Sequence, residues 1–175
     1  ADLFESGLVA QIGPNSFAVW AAIKAHADFQ TGIAWPSVRR LMALTGLASA
    51  TVQKCLATLE AAHLLRSEVR NKRRYYVARE RLDVSIGQRV LCTVVVDYVP
   101  ATMRDRLAAV RSAIDGGDPA GLVDVEIIPG EGFTWDEKAR VLRAKMPARD
   151  VPAPPSAPLG ELGERMSRRV RLLKK

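Results

Sequence analysis

Apolar residues recur at helical spacing in three stretches of the N-terminal part of the chain. Phe17, Trp20 and Ala21, followed by Ile23 and Lys24, predict the buried face of a helix over Asn15–Ala27. Gly13-Pro14-Asn15-Ser16 opens it, because proline is tolerated in the first turn and Asn or Ser caps it. Leu8, Val9 and Ile12 form an apolar cluster before it. Val38, Leu41, Met42 and Leu44 predict a second helix, Pro36 to Thr45, which Gly46 terminates. Val52, Leu56 and Leu59, with Cys55 beside them, predict a third over Ser49–Ala62. Ile33-Ala34-Trp35 lies between Gly32 and Pro36, is too short for a helix, and reads as a strand.

The pattern then changes to β. Leu65–Val69 and Tyr75–Ala78 flank a turn containing Asn71. Residues Arg79–Gln88 read as a link onward. Gln88–Val99 is a long β-branched strand that Pro100 ends. Thr93 and Val95 alternate with Val94 and Val96, so both faces are apolar and call for burial on both sides. Met103, Leu107, Val110 and Ile114 predict a helix over Thr102–Asp115, and Val123–Ile128 a further strand. Phe133–Trp135 and Arg140–Ala144 form a hairpin around Asp136-Glu137-Lys138, or Trp135–Lys145 forms one helix; aromatic and β-branched content favours the hairpin.

This order predicts an α+β protein in three parts. Residues 1–80 carry three helices and a basic hairpin, and residues 83–147 a small β-α-β-β-type sheet domain. Residues 148–175 are a Pro-rich linker, with prolines 152, 154, 155 and 158, and a basic tail. One helix on a small sheet leaves a face to cover, which the first domain or a second copy of the chain would supply; a homodimer is therefore expected.

Charge sharpens the picture. The chain of 175 residues carries a net +7. Between Arg66 and Arg81, seven Arg or Lys stand against Glu68 and Glu80. An arginine-rich hairpin tip repels itself unless phosphates offset the charge. The face of the third helix opposite its apolar stripe holds Ser49, Ala50, Gln53, Lys54 and Ala57, small and polar, as a helix entering a DNA groove requires. A merely solvated face is the alternative for both features.

Little in the chain suggests catalysis. Cys55 and Cys92 are far apart, within apolar runs, and read as reduced thiols. His26 and His63 read as helix-end residues. Asp97, Asp124 and Glu126 are possible paired carboxylates, explained equally by an exposed charged face. Gly116-Gly117 lacks the Lys-Ser/Thr of a nucleotide loop. Tyr75-Tyr76 lacks the metal-binding histidines of a nicking enzyme. No enzyme activity, metal or cofactor is expected. No apolar run reaches the ~18 residues of a membrane span, and none reads as a signal peptide, so a cytoplasmic protein of a bacterial or phage-infected cell is expected.

Taken together, Trp35-Pro36-Ser37, Leu41, Thr45-Gly46-Leu47, Thr51-Val52, Leu56, Leu59-Glu60 and Leu64-Leu65 resemble the winged helix-turn-helix modules of plasmid and phage replication proteins. They are also similar to winged-helix regulators of the GntR and MarR groups. The resemblance spans roughly Pro14 to Val77. It implies that the third helix enters the major groove through Ser49, Thr51, Gln53 and Lys54. It also implies that the wing touches DNA through Arg70, Asn71, Lys72, Arg73 and Arg74, and that Arg39 and Arg40 approach phosphates. Two positions depart from the pattern: Ala48 stands where Ser or Thr caps the third helix, which Ser49 would do instead, and His63 stands where glycine is usual.

Double-stranded DNA is thus the expected partner. Three processes remain open. One is initiation or control of plasmid or phage replication, and another is transcriptional regulation by a dimer on an operator. In the third, the chain is a structural protein that docks a partner and touches DNA secondarily.

Overall fold

The computed structural model of the chain describes residues 7–87, 89–117, 122 and 124–145. The expected linker and basic tail, and the start of the strand expected at Val123, lie outside the described residues. The first unit of the chain, Ala1–Ala144, carries every described element.

Four helices precede the sheet: α1 (Leu8–Ile12), α2 (Pro14–Ala25), α3 (Val38–Thr45) and α4 (Ser49–Ala61), with β1 (Ile33–Ala34) between α2 and α3. Three helices were expected. The additional one is five residues long, set between Gly7 and Gly13, both at positive φ, and is too short to show a period. Proline opens α2 at its first position. Its buried stripe is Ser16, Val19, Trp20 and Ile23, so Ala21, expected inside, is exposed.

In α3, the Ser37 hydroxyl accepts a hydrogen bond from the Arg40 backbone N–H at 3.1 Å, and Gly46 closes the helix at φ 70°. Leu41 is fully buried, with Val38 and Met42 packed beside it. Leu44 is 41% exposed. At 100° per residue it falls outside the stripe of Val38, Leu41 and Met42, which corrects its expected place in the core. Along α4, Val52, Cys55, Leu56 and Leu59 are buried.

The C-terminal end of α4 explains the histidine found where glycine is usual. The Leu64 N–H donates to Leu59 O at 2.9 Å and the His63 N–H to Glu60 O at 3.0 Å. These two bonds define a Schellman closure, which needs a left-handed residue. His63 supplies it at φ 57°. Leu59 and Leu64, both fully buried, make the closure's apolar contact.

The main sheet is antiparallel, in the order β1-β3-β4-β5, with β2 also on β3. Its strands are β2 (Leu65–Arg70), β3 (Arg73–Ile86), β4 (Arg89–Asp97) and β5 (Val125–Pro129); α5 (Met103–Gly116) joins β4 to β5. The hairpin reading of the next segment matches β6 (Phe133–Asp136) paired with β7 (Val141–Ala144). The first residues of β3 pair with β2, Arg73 opposite Arg70 and Ala78 opposite Leu65. The rest pair with β4, from Arg79 opposite Asp97 to Ile86 opposite Arg89.

The boundary expected between residues 80 and 83 therefore falls inside β3. Leu82, Val84 and Ile86 alternate with Arg81, Asp83 and Ser85, a period of two that marks a strand rather than a link.

One sheet face is covered by two successive apolar clusters. Tyr76 and Ala78 belong to the core beneath α2, α3 and α4. Leu82 and Val84 pack with Val94, Val96, Met103 and Val110. Tyr98 touches both clusters. On the other face, Arg79, Arg81, Asp97 and Glu126 surround Val95. Arg79 donates to Asp97 at 3.0 Å and to Glu126 at 2.6 Å, and Arg66 to Asp97 at 2.5 Å. Thr93, Val94, Val95 and Val96 are all buried within a single chain. The two-sided apolar character of β4 thus requires no second copy.

Candidate nucleic-acid interface

The interface is built on α3, the short turn at Gly46-Leu47-Ala48, and α4. Thr45 ties the turn: its hydroxyl donates to Leu41 O at 2.7 Å and accepts from the Leu47 N–H at 3.4 Å. Ala48 is the N-cap of α4 and offers no side-chain bond. Ser49, expected to cap in its place, is the first helical residue, and its hydroxyl accepts from the Gln53 amide at 3.5 Å.

Behind the buried stripe, the outer face of α4 presents Ala50, Gln53, Lys54 and Ala57 as exposed residues. Ser49 and Thr51 are half-buried. No side chain longer than Gln53 or Lys54 stands on it, so a second macromolecule can approach the helix closely. Arg39 and Arg40 are exposed on α3.

The β2–β3 hairpin turns through two residues, Asn71 at φ 50° and Lys72 at φ 62°. Two successive left-handed residues make a type I′ turn, which matches the twist of the flanking strands. Asparagine tolerates this conformation; lysine is strained in it. Arg70 faces Arg73 across the last rung, an unfavourable pair of like charges. Arg70 is hydrogen-bonded to Glu68 at 2.6 Å, which holds the Glu68 carboxyl below its ordinary range. Lys72 and Arg73 make no ion pair among the described residues.

A cleft of about 640 Å³ separates α4 from the hairpin. Gln53, Ala57 and Glu60 form one wall, and Lys72, Arg73 and Arg74 the other. Trp35, Pro36, Leu56 and Tyr76 also line it. The structure thus brings Gln53 together with three of the hairpin cations. Arg70 and Asn71 line a second cavity of about 840 Å³ with Tyr75, Val77 and Arg106, and Trp35 lines both. Arg39, Arg40, Ser49, Thr51 and Lys54 line neither.

Sequence reasoning missed two cleft residues. Trp35, read as a strand residue, follows β1 and is 57% exposed. Glu60, counted only as part of the resemblance, accepts a hydrogen bond from the Ser67 hydroxyl at the cleft wall. Their common signal was position, since each lies within a few residues of a predicted element end.

The carboxylates weighed as metal ligands have other partners. Asp97 and Glu126 both bind Arg79. Asp124 is in the turn before β5, at φ 53°, and not on the strand face with Glu126. Among the described residues, no group of three or more His, Cys, Asp or Glu is placed to hold a metal ion. Burial raises the Cys92 thiol, with Asp83 adding to the shift.

A family model described as a helix-turn-helix domain matches residues 10–65. The matched stretch runs from α1 to the first residue of β2 and includes α3, the turn and α4. It supports a helix-turn-helix DNA-binding protein. No curated protein and no solved structure matches the chain. Among the described residues, no helix is long and apolar enough to cross a membrane.

Proposed function

We propose that the chain is a winged-helix reader of double-stranded DNA, without enzymatic activity, serving plasmid or phage replication initiation or control. The observation that carries this reading is the small, polar outer face of α4 beside a cleft walled by Lys72, Arg73 and Arg74, within the stretch that matches a helix-turn-helix domain. Helix α4 enters the major groove, where Gln53 reaches base edges and Ser49, Thr51 and Lys54 flank it. The β2–β3 hairpin is the wing, with Lys72, Arg73 and Arg74 on the phosphates and Arg70 and Asn71 at its margin. Arg39 and Arg40 meet the backbone from α3.

Operator binding by a dimeric regulator is the competing process. The sequence argument for a dimer rested on the two apolar faces of β4, and both are buried within one chain. That favours binding as single copies on repeated sites, in the manner of an origin. Selection of bound sequences from a random duplex pool tests both levels. Direct repeats or single sites support the replication reading; an inverted repeat at fixed spacing supports the dimeric regulator. Failure to enrich any sequence counts against sequence-specific reading.

A further inference from the structure

The cleft between α4 and the hairpin is polarised in a way that a paired DNA backbone does not explain. Its hairpin wall carries Lys72, Arg73 and Arg74, and its helix wall carries Gln53 and Glu60. A phosphate seated deep in it would meet the Glu60 carboxylate. An exocyclic amino group on a base edge would instead donate to that carboxylate, which retains acceptor capacity beyond its bond from Ser67. Gln53 offers both a donor and an acceptor beside it.

The remaining feature is Trp35. It is more than half exposed, and among the described residues it makes no ring–ring or cation–ring contact. Its backbone is held between β1, paired to β3 at Ala34 and Tyr76, and Pro36. An exposed indole beside cations is the chemistry that stacks a nucleobase. The volume, about 640 Å³, lies in the range of clefts that hold a single small-molecule-sized group.

We infer that this cleft receives one unpaired nucleotide of a DNA strand, its base stacked on Trp35 and read by Gln53 and Glu60, its phosphates on Lys72, Arg73 and Arg74. The inference rests on the DNA-binding reading above and adds a strand state to it. An occupant with a flat face, amino N–H donors at one end and negative charge at the other matches Trp35, the Gln53–Glu60 wall and the hairpin cations.

The test compares three labelled DNAs in the full chain by fluorescence anisotropy: a mixed-sequence duplex, the same duplex with one unpaired adenine, and the corresponding single strand. The DNA with the unpaired base is expected to bind roughly tenfold more tightly than the paired duplex. In Trp35→Ala this ratio falls to near one, while Trp35→Phe restores most of it. Circular dichroism checks that the variants fold. Equal affinity for paired and unpaired DNA, or a preference that survives Trp35→Ala, overturns the inference and leaves duplex reading intact. Binding of free adenosine monophosphate as tight as that of the strand also overturns it, since the cleft is then a small-molecule site. Absence of binding to all three DNAs overturns the DNA reading itself.

Discussion

Lys24 on α2 is ion-paired with Glu80 on β3, and its ammonium lies 4.3 Å from the Trp20 ring centroid and 4.0 Å from that of Tyr98. Both side chains are largely shielded from water, 20% and 16% exposed. The pair sits where β3 changes partner from β2 to β4. It therefore joins the helical core to the sheet beneath α5. Replacing Lys24 with Ala leaves a shielded carboxylate unpaired and removes two cation–ring contacts. A loss of about 2 kcal/mol is expected, with about 1 kcal/mol for Glu80→Gln. Urea denaturation of both variants checks this; an unchanged midpoint for Lys24→Ala would remove the pair from the account of stability.

Gly32 and Gly46 have nearly equal positive φ, 71° and 70°, but different surroundings. A Cβ at Gly32 would stand 2.2 Å from Tyr98 O, whereas at Gly46 nothing lies within 4 Å. Gly46→Ala is expected to cost only the left-handed strain, about 1 kcal/mol. Gly32→Ala adds a backbone collision, and a cost of about 3 kcal/mol or more is expected. Similar thermal midpoints for the two variants would contradict this difference.

Lys72 occupies a turn position that suits glycine. Lys72→Gly should raise folding stability by about 1 kcal/mol through relief of the left-handed conformation. It should also weaken DNA binding and reduce the salt slope by about one unit, as one phosphate contact is lost. Stability and affinity moving in opposite directions is the signature; a fall in both would count against the turn assignment.

Arg73 and Arg74 test the proposed hairpin contacts against the proposed groove contacts of α4. Reversing their charge should weaken binding to all sequences and lower the salt slope by roughly one unit per lost contact. Gln53→Ala should instead relax sequence choice, at a cost of about 1–3 kcal/mol on the preferred site. Competition binding against selected and scrambled duplexes separates the two effects.

Glu126 links folding to acid. The hydrogen bond from Arg79 holds its carboxyl below the ordinary range; partial burial opposes this and the Arg79 charge adds to it. A depressed folded-state value means that the contribution is present above the unfolded value, about 4.3. It is lost as pH falls through the folded value. Glu126→Gln should show a shallower decline of stability in that acidic window. Parallel acid profiles for the two proteins would exclude the pairing as a source of acid sensitivity.

Elements whose signals are local were legible in the sequence. Gly46 ends α3 as expected, because left-handed closure acts within one turn, while the start expected at Pro36 falls at Val38, with Ser37 as the cap. The apolar stripe of α4 was read correctly through Val52, Cys55, Leu56 and Leu59. What depends on distant partners was not. His63 is the local exception: its closure is set within one turn by Leu59 and Leu64, but a histidine does not mark a left-handed position as glycine does. The covering of Val95 by arginine stems and carboxylates gave no apolar signal and was read as a missing layer. Of the candidate site, Gln53, Lys72, Arg73 and Arg74 are singled out by residue type alone, and the cleft they share with Trp35 and Glu60 arises only when the hairpin folds back beside α4.

The unbroken course of β3 has a further consequence. Every one of its 14 residues has a ladder partner, on β2 as far as Ala78 and on β4 from Arg79 onward. At ~3.3 Å per residue it runs roughly 45 Å, with one irregularity between Val84 and Ser85, where the pairing skips Leu91 on β4. Cutting the chain near residue 80 would not release a separate module. It would bare a row of backbone donors and acceptors and invite foreign strands to pair there. The hairpin and the later sheet therefore share one continuous strand.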